Sequence, residues 1–327
     1  MENVSSKRLN MENGTLIYRI KQGKAVITGY QGFAASLVLP SVIEGYPVAV
    51  IDRKAFLSRK GLCSLRLPDS LEEVGDWAFA YCSSLRDVSF SGGDVRFGRA
   101  VFKDCKSLER IEVRDDISGG RNRRDAGEFP GAFPGMPGSG GGMQKVPCAE
   151  LLAAVVTMLD ADYLLNLSEA GSREWLEQWD IRFLSILRAR DSEGYISQSV
   201  YGEEDYIGTD LEEFTSEKRR LKVRLCFLRL LHPQGLSLSG REELEQYLRS
   251  LTRGQGTGET WQVIREEQSG CREYYSLFAE LGCITEDNFQ GILLDIGEDS
   301  PEMKAFFLKY REEGREDRRD FFEGLDL

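Results

Sequence analysis

The sequence predicts an α+β protein of two domains: a short solenoid of stacked coils with an N-terminal β-hairpin cap, followed by an all-α helical domain. Two patterns predict this division. An internal repeat with a constant step runs through the N-terminal third of the chain, whereas apolar residues after residue 148 recur with the period of an α-helix. A segment rich in glycine and proline separates the two patterns, so we expect the domain boundary there.

The composition narrows the classes of function. A chain of 327 residues has room for about two domains, and 41% apolar residues are enough to form their cores. The net charge of −12 argues against a nucleic-acid partner, because an acidic surface repels a polyanion. Since His232 is the single histidine, a multi-histidine metal site is excluded and a catalytic triad has only that residue to use. We therefore expect no metal, no cofactor and no enzymatic activity.

The apolar runs and the cysteines bear on cellular location. Met1–Asn13 lacks the apolar core of a signal peptide, and the longest nearly apolar run, Leu151–Leu159, is far shorter than the roughly 20 residues of a membrane span. The chain has seven cysteines, which is an odd number, and no two of them form a CxxC motif. Neither a disulfide framework nor a zinc site is therefore indicated. We expect a cytoplasmic protein as the sequence is written, and a surface or secreted protein if further residues precede Met1.

The first predicted element is a β-hairpin. Residues 1–14 are polar and are expected to be disordered. Leu16, Tyr18 and Ile20 then alternate with other residues, Gln22-Gly23 supplies a turn, and a second apolar strand follows. A solenoid buries each coil only against its neighbours, so this hairpin is expected to cap the upper end.

The next elements are the coils of the repeat. Segments 51–56, 74–79 and 97–102 align without a gap, which defines a constant 23-residue step. The same step aligns three further sets of apolar residues: Leu62, Leu85 and Leu108; Leu65, Val88 and Ile111; and Leu67, Phe90 and Val113. The domain is therefore expected at 15–113, with coils at 51–73, 74–96 and 97–113 and an irregular first coil at 27–50.

Residues 74–90 carry the clearest copy of the coil, V-G-D-W-A-F-A-Y-C-S-S-L-R-D-V-S-F. This copy resembles the coil of the BspA-like leucine-rich repeat family, which reads roughly I-G-x-x-A-F-x-x-C-x-x-L-x-x-I-x-L-P. Coil 51–73 departs from the pattern, because Arg59 occupies the cysteine position and Asp52 the glycine position. The resemblance covers about residues 15–113 and implies a surface used for adhesion or protein binding.

The strand of each coil predicts a binding surface. If Leu65 and Leu67 point into the solenoid, Ser64 and Arg66 point outward, because side chains alternate along a strand. The constant step then places the equivalent residues of later coils beside them, with two residues of the first coil at the upper end. We predict that a partner protein, with glycoproteins among the candidates, contacts this strip, which consists of Ser36, Val38, Ser64, Arg66, Asp87, Ser89, Arg110 and Glu112.

The lower end of the solenoid presents apolar residues with no polar cap after them. The chain instead enters residues 114–147, which hold nine glycines and are predicted to form a flexible linker. Leaving the last apolar coil in water would cost several kcal/mol, at about 1.5–3 kcal/mol for each large side chain. We therefore expect the end to be covered, either by the linker residues Phe129, Phe133 and Met136 or by docking of the helical domain.

Residues 148–327 are predicted to form an acidic all-α domain. They carry 21 basic and 37 acidic side chains, a net charge of −16, so the net negative charge of the chain comes from this domain. N-terminal caps are predicted at Ser172, Ser239 and Thr285, each followed by acidic residues. The predicted helices are 148–165, 172–190, 211–231, 239–251, 259–268, 272–281, 285–296 and 301–313. The last two weakly resemble an ankyrin-type helix hairpin in their length and turn placement.

Some clusters have both a functional and a structural interpretation. Acidic residues between Asp191 and Glu213 could bind a hard cation or form a solvated loop. The glycines before Lys145 lack the ending of a phosphate loop, and no pair among the 54 acids is singled out for glycoside hydrolysis. Basic residues between Lys218 and Arg224 could bind phosphates or pair with acids one turn away, namely Glu212, Glu213 and Glu217.

The structural interpretation is favoured for the remaining candidates. His232 before Pro233 marks a helix end that its imidazole can cap, and the tryptophans of the second half are spaced like core residues. Cys82 and Cys105 should stack in successive coils as buried free thiols. Two functions stay open: a non-enzymatic interaction protein, or a helical enzyme or ligand sensor that the repeats deliver to its target.

Overall fold

The computed structural model describes residues 6–91, 95–114, 148–195, 210–254 and 256–323, with side chains except at Ser91, Arg114 and beyond residue 312. The chain divides into two compact units, Met1–Arg182 and Phe183–Leu327. Of the predicted linker 114–147, residues 115–147 lie outside the described residues, and Phe129, Phe133 and Met136 are among them.

Two β-sheets make up the two sides of a solenoid in the first unit. The strands of its described part are β1 (Lys7–Met11), β2 (Gly14–Lys21), β3 (Lys24–Gly32), β4 (Ser36–Val38), β5 (Val42–Ile43), β6 (Tyr46–Ile51), β7 (Ser64–Arg66), β8 (Glu73–Val74), β9 (Asp87–Ser91), β10 (Arg96–Phe97) and β11 (Arg110–Arg114). One sheet has the order β1-β2-β3-β6-β8-β10, with β5 paired to β6, and the other has the order β11-β9-β7-β4. Neighbouring coils contribute parallel strands to both sheets.

The N-terminal hairpin is confirmed. β2 and β3 are antiparallel, and Gln22-Gly23 joins them with φ values of 51° and 74°, the left-handed geometry of tight hairpin turns. The prediction of disorder for residues 1–14 is wrong from residue 7 onward, because Lys7–Met11 pairs with β2. This strand lies at the edge of its sheet, where polar exposed side chains are tolerated, and so it lacks a clear apolar alternation.

Each coil contributes one aromatic ring to a stacked column in the core. The rings of Tyr30, Phe56, Phe79 and Phe102 follow one another with centroid separations of 5.8, 5.1 and 5.6 Å. These separations are close to the ~4.8 Å between adjacent strands. All four side chains are buried, so the column runs from the hairpin strand to the last coil.

The turn before this phenylalanine keeps its shape in all three coils, with φ near 60° at Lys54, Trp77 and Ala100. Gly75 has no room for a side chain, since an added Cβ would lie 2.6 Å from the backbone nitrogen of Arg53 in the coil above. Asp52 fills the same position in the first of these coils, where the strand β3 lies above it instead of another turn. Asp52 therefore departs from the repeat pattern without altering the turn.

Cys82 and Cys105 are both buried free thiols, in agreement with the sequence prediction. Each thiol donates a hydrogen bond to a phenylalanine carbonyl one coil above, Cys82 to Phe56 at 3.3 Å and Cys105 to Phe79 at 3.2 Å. A hydrogen bond with Cys82, together with burial, raises the pKa of the Cys105 thiol. The same hydrogen bond with Cys105 lowers the pKa of the Cys82 thiol, and both sulfurs take part in the core as hydrogen-bonded free thiols.

We expect Cys82 and Cys105 to resist alkylation by iodoacetamide in the folded protein, because both sulfurs are buried and the reagent cannot reach them. Both should be labelled once urea unfolds the chain, without any reductant. The half-buried Cys63 and Cys271 provide internal controls that should react faster under native conditions. Mass spectrometry of the digested protein measures the labelling, and a Cys82–Cys105 bridge in the digest would contradict the prediction.

The lower end of the solenoid is covered by helix α1 (Ala149–Thr157), which packs against β11. Arg110 of β11 lies 3.6 Å from the carboxylate of Glu150 in this helix. Docking of the first part of the predicted helical domain, one of the two coverings expected from the sequence, is therefore observed.

A carboxylate completes the hydrogen bonding of the last turn. In the upper coils, the N–H groups of Lys54 and Trp77 donate to carbonyls of the coil below at 3.1 and 3.0 Å. The equivalent N–H group of Ala100 donates to Oδ2 of Asp162 at 3.0 Å. Asp162, in a short 3₁₀ helix (Asp162–Leu164), thus supplies the acceptor that a further coil would have provided.

Residues 148–182 belong to the same compact unit as the repeats, although the sequence placed them in the helical domain. The side chain of Trp175 donates to the carbonyl of Leu164 at 2.8 Å, and that of Trp179 donates to the carbonyl of Leu151 at 3.2 Å. Both tryptophans are buried, as is Trp261 in the second unit, so the core interpretation of these residues is confirmed.

The remaining helices follow the predicted order. They are α2 (Arg173–Arg188), α3 (Leu211–Leu231), α4 (Leu238–Ser250), α5 (Glu259–Glu267), α6 (Arg272–Glu280), α7 (Glu286–Ile296) and α8 (Pro301–Glu323). In the second unit α3 packs against α4, α5 and α6, while α8 packs against α6 and α7. The first helix ends at Thr157 instead of residue 165, because Asp160 takes a left-handed φ of 47°. The last helix continues past the predicted end at residue 313.

The predicted helix caps are mostly confirmed. Oγ1 of Thr285 accepts from the N–H of Asn288 at 3.2 Å, and Oδ1 of Asn288 accepts in return from the N–H of Thr285 at 2.8 Å. Oγ of Ser172 accepts from the N–H of Trp175 at 3.2 Å. The cap predicted at Ser239 is wrong by two residues, because Ser237 accepts from the backbone of the first turn and begins the helix earlier.

Candidate interaction surface

Four parallel strands bring the residues of the predicted strip side by side. The register of β4, β7, β9 and β11 places Ser36, Ser64, Asp87 and Arg110 in one row, and Val38, Arg66, Ser89 and Glu112 in a second row. The residues between the two rows, Leu37, Leu65, Val88 and Ile111, are buried. The strip side chains are exposed or half-exposed, so the geometry predicted from the constant step is observed. Whether a partner contacts them stays a prediction.

The strip carries charges of both signs. Arg66, Asp87 and Glu112 form no ion pair within the part of the chain that the structure describes, whereas Arg110 is paired with Glu150 of α1. Glu150 therefore lies at the lower end of the strip. A partner could neutralise the three unpaired charges without breaking an internal bond.

The strip is small. Four strands at about 4.8 Å spacing span about 15 Å, which is part of a standard interface of about 800 Å² per partner. Phe33 and Val42 lie near its upper strand in sequence, and both are exposed apolar residues. A protein partner would need to extend beyond the strip to form a stable complex.

Most basic residues of α3 pair with acids, as the structural interpretation predicts, but of the three predicted partners only Glu217 takes part among the described residues. Arg220 contacts Glu266 and Glu267 at 2.9 and 2.6 Å, and Arg224 contacts Glu267 and Glu217 at 2.6 and 2.8 Å. Most of these partners lie on α5 and not one turn back on α3. The paired charges leave little reason for phosphate binding at this helix.

The acidic cluster shows no cation site in the described part. Within the described ranges, no group of three or more histidine, cysteine, aspartate or glutamate side chains is placed to hold a metal ion. Asp191 accepts from Lys222 at 2.6 Å, which gives it a structural role. Glu203, Glu204 and Asp205 lie outside the described residues, as do the glycines before Lys145.

A depression of about 310 Å³ lies at the start of α7 in the second unit, lined by Arg253, Thr285, Asp287 and Asn288. Its polar groups serve the fold: Asn288 donates to the carbonyls of Arg253 and Cys283 at 3.0 and 2.9 Å, in addition to capping α7. This arrangement is typical of a buried turn, and it does not bring paired acids together.

The end of α3 is held by a residue that the sequence analysis did not single out. His232 lies at the C-terminal cap position, as predicted for a helix end. The guanidinium of Arg229 is fully buried there and donates to the carbonyls of His232 and Gln234. The two carbonyls belong to residues three and five positions after the arginine. Arginine is common on helix surfaces, so nothing in the sequence indicates this role.

Comparison with known proteins adds a family assignment for the repeats. Residues 28–121 match the family model of the BspA type leucine rich repeat region, with six copies. No curated protein matches the chain. None of the helices in the described ranges is long and apolar enough to cross a membrane.

Three solved structures are similar to part of the chain. A leucine-rich repeat protein from Bacteroides capillosus is 28% identical over 34% of this chain and 88% of its own, with a TM-score of 0.28. A leucine rich cell surface protein from Faecalibacterium prausnitzii is 27% identical over 34% of this chain and 32% of its own, with a TM-score of 0.29. A leucine rich repeat protein from T. pallidum is 26% identical over 33% of this chain and 64% of its own, with a TM-score of 0.26. On the family match, residues 28–121 are a leucine-rich repeat region of the BspA type.

Proposed function

We propose that this protein is a non-enzymatic interaction module that binds a partner protein through the strip. The observation that carries the proposal is the four-strand register, which exposes two rows of side chains, all polar except Val38, beside a buried apolar row. Repeat solenoids use extended surfaces of this kind for binding. The unpaired charges of Arg66, Asp87 and Glu112 would give the contact its specificity, because opposite charges on the partner must face them.

The proposal includes the class of partner and the compartment. A protein, with glycoproteins included, is favoured over a nucleic acid, because the strip carries charges of both signs and the whole chain has a net charge of −12. All seven cysteines are free thiols, which supports a reducing compartment such as the cytoplasm. In this proposal the helical unit contributes a second surface, and the alternative is that it acts as an enzyme or ligand sensor.

Reversing the charges of the strip should abolish partner capture. We expect the variant Arg66→Glu, Asp87→Arg, Glu112→Arg to lose at least tenfold in affinity, because two or three lost pairs at about 1 kcal/mol or more each exceed that factor. Arg110 is left intact, since it pairs with Glu150 and a change there would disturb the end of the solenoid. Immobilised full-length protein, quantitative mass spectrometry of captured proteins and titration of the recovered partner provide the measurement.

A matched control changes the same charges on the other sheet. Glu12→Arg, Glu73→Arg, Arg96→Glu also replaces two acids and one base, and the ion pair between residues 73 and 96 is kept with its charges exchanged. This control should capture the partner as the unchanged protein does. Equal capture by the strip variant and the unchanged protein would show that the binding surface lies elsewhere.

A further inference from the structure

A pocket of about 280 Å³ opens in the first unit, beside the starts of β4 and β7. Its walls include Tyr30, Phe33, Ala34, Arg59, Lys60 and Leu62. None of these residues belongs to the strip, so the proposed protein contact does not account for the pocket. Its volume is near the lower end of the range for small-molecule sites, which start at about 300 Å³.

Arg59 is the residue by which the pocket differs from the equivalent positions in the later coils. One and two repeat steps later, the same position is Cys82 and Cys105, whose thiols bond to carbonyls of the coil above. In Arg59 the guanidinium Nε is buried and has no hydrogen-bond partner among the described residues. Buried donors normally have an acceptor, so this N–H group is open to an acceptor that the described residues do not supply.

The charges around the pocket favour an anion. Arg59 and the exposed Lys60 are both cationic, and neither forms an ion pair with a described residue. No acidic side chain is among the described residues that line the pocket. A negatively charged group would therefore meet two cations and no opposing carboxylate.

The aromatic ring of Phe33 at the pocket favours a ligand that has an apolar part. The side chain of Phe33 is fully exposed, with a relative accessibility of 102%. The hydroxyl of Tyr30, also in the wall, already donates its proton to the carbonyl of Asn13 at 2.6 Å and so has none to donate to a carboxylate. A ligand with a flat apolar body could cover the ring of Phe33 while its polar end reaches Arg59.

We propose that this pocket binds a carboxylate group attached to an apolar ring. The planar carboxylate accepts from two N–H groups of the Arg59 guanidinium, in the fork geometry that these groups favour. Lys60 adds a second positive charge, and Phe33 packs against the ring of the ligand. The carboxylate can belong to a free aromatic acid or to the C-terminal residue of a peptide, since both offer the same group.

Binding of benzoate to the full-length protein, followed by ¹⁵N NMR, tests the proposal. We expect saturable shifts of the amide signals of Ala34 and Gly61, with a dissociation constant on the order of 1 mM for so small a ligand. Benzamide has the same ring without the charge and should bind at least tenfold more weakly. Acetyl-Gly-Phe with a free C-terminus, compared with its amide, tests the peptide source in the same way.

Three variants assign the binding to the named residues. Arg59→Cys restores the residue of the other coils, so it should fold and should lose the saturable shifts. Lys60→Gln should weaken benzoate binding severalfold, whereas Lys106→Gln, at the same repeat position two coils later, should leave it unchanged. Phe33→Ala should weaken benzoate but not acetate.

Three results would overturn the proposal: equal binding of benzoate and benzamide, unchanged binding in Arg59→Cys, or no saturable shift at residues 30–34 and 58–62. The comparison of benzoate with benzamide and the Lys60→Gln variant do not depend on the folding of Arg59→Cys. The strip variant should still bind benzoate as the unchanged protein does, because it leaves the pocket residues unchanged. The proposal for the strip and the proposal for the pocket can therefore fail independently.

Discussion

A chain cut after Arg114 is expected to lose most of the stability of the repeat domain. In the intact protein Val101, Phe102, Leu108 and Ile111 of the last coil are buried, and α1 packs against β11 beside them. Half-exposing these four side chains costs several kcal/mol, at about 1.5–3 kcal/mol for complete exposure of each. That loss is comparable with the whole stability of a small domain, about 5–15 kcal/mol.

The comparison is between residues 1–114 and residues 1–182, which retain α1 and Asp162. Urea unfolding followed by circular dichroism gives the free energy of unfolding of each, and gel filtration reports association through the uncovered end. A monomeric 1–114 chain as stable as the 1–182 chain would contradict the role of α1 as a cap. Within the full chain, Asp162→Ala should cost about 1–3 kcal/mol by leaving the N–H of Ala100 without its acceptor, and the exposed Glu169→Ala should cost little.

The parts of the fold that sequence analysis predicted well are the periodic ones. Because the coils repeat at a constant interval, the positions of Leu65, Val88 and Ile111 fix both the strand register and the outward direction of their neighbours. The strip could thus be predicted residue by residue without any knowledge of long-range contacts. Departures such as Asp52 change the local sequence but not the turn, because the same hydrogen bonds hold it.

The parts that were missed depend on contacts between residues far apart in sequence. Asp162 is 62 residues from Ala100, and no period relates the two. The same holds for the edge strand Lys7–Met11, whose polar side chains conceal its pairing with β2. A carboxylate, a guanidinium or a polar strand acquires its role only from the neighbour that the fold supplies, which a single sequence does not reveal.

The buried charge of Arg229 is the clearest case in the second unit. Its side chain is fully buried, and its guanidinium donates to the carbonyls of His232 and Gln234, just beyond the last turn of α3. Backbone donors are scarce at this point of the chain, because Pro233 lacks an N–H group. The arginine therefore does from within the helix what the sequence analysis expected of the His232 imidazole.

Replacing this residue should strongly destabilise the second unit. Arg229→Met keeps an apolar stem of similar length but removes both donors, which leaves two carbonyls without their charged partner at about 1–3 kcal/mol each. The substitution also removes the desolvation penalty of a buried charge, which offsets part of this cost. We therefore expect the free energy of unfolding to fall by about 2–4 kcal/mol. Hydrogen exchange of the α3 amides in the full chain measures the change for this unit alone.

Two further variants separate the hydrogen bonds from the charge. Arg229→Lys keeps a cation but not the planar fork, and it should fall between Arg229→Met and the unchanged protein. Arg241→Met removes an exposed arginine that pairs with Glu245 at 2.8 Å, and it should change the stability by less than about 1 kcal/mol. Equal or greater protection of the α3 amides in Arg229→Met would mean that desolvation of the guanidinium outweighs its hydrogen bonds, contrary to the role assigned to it here.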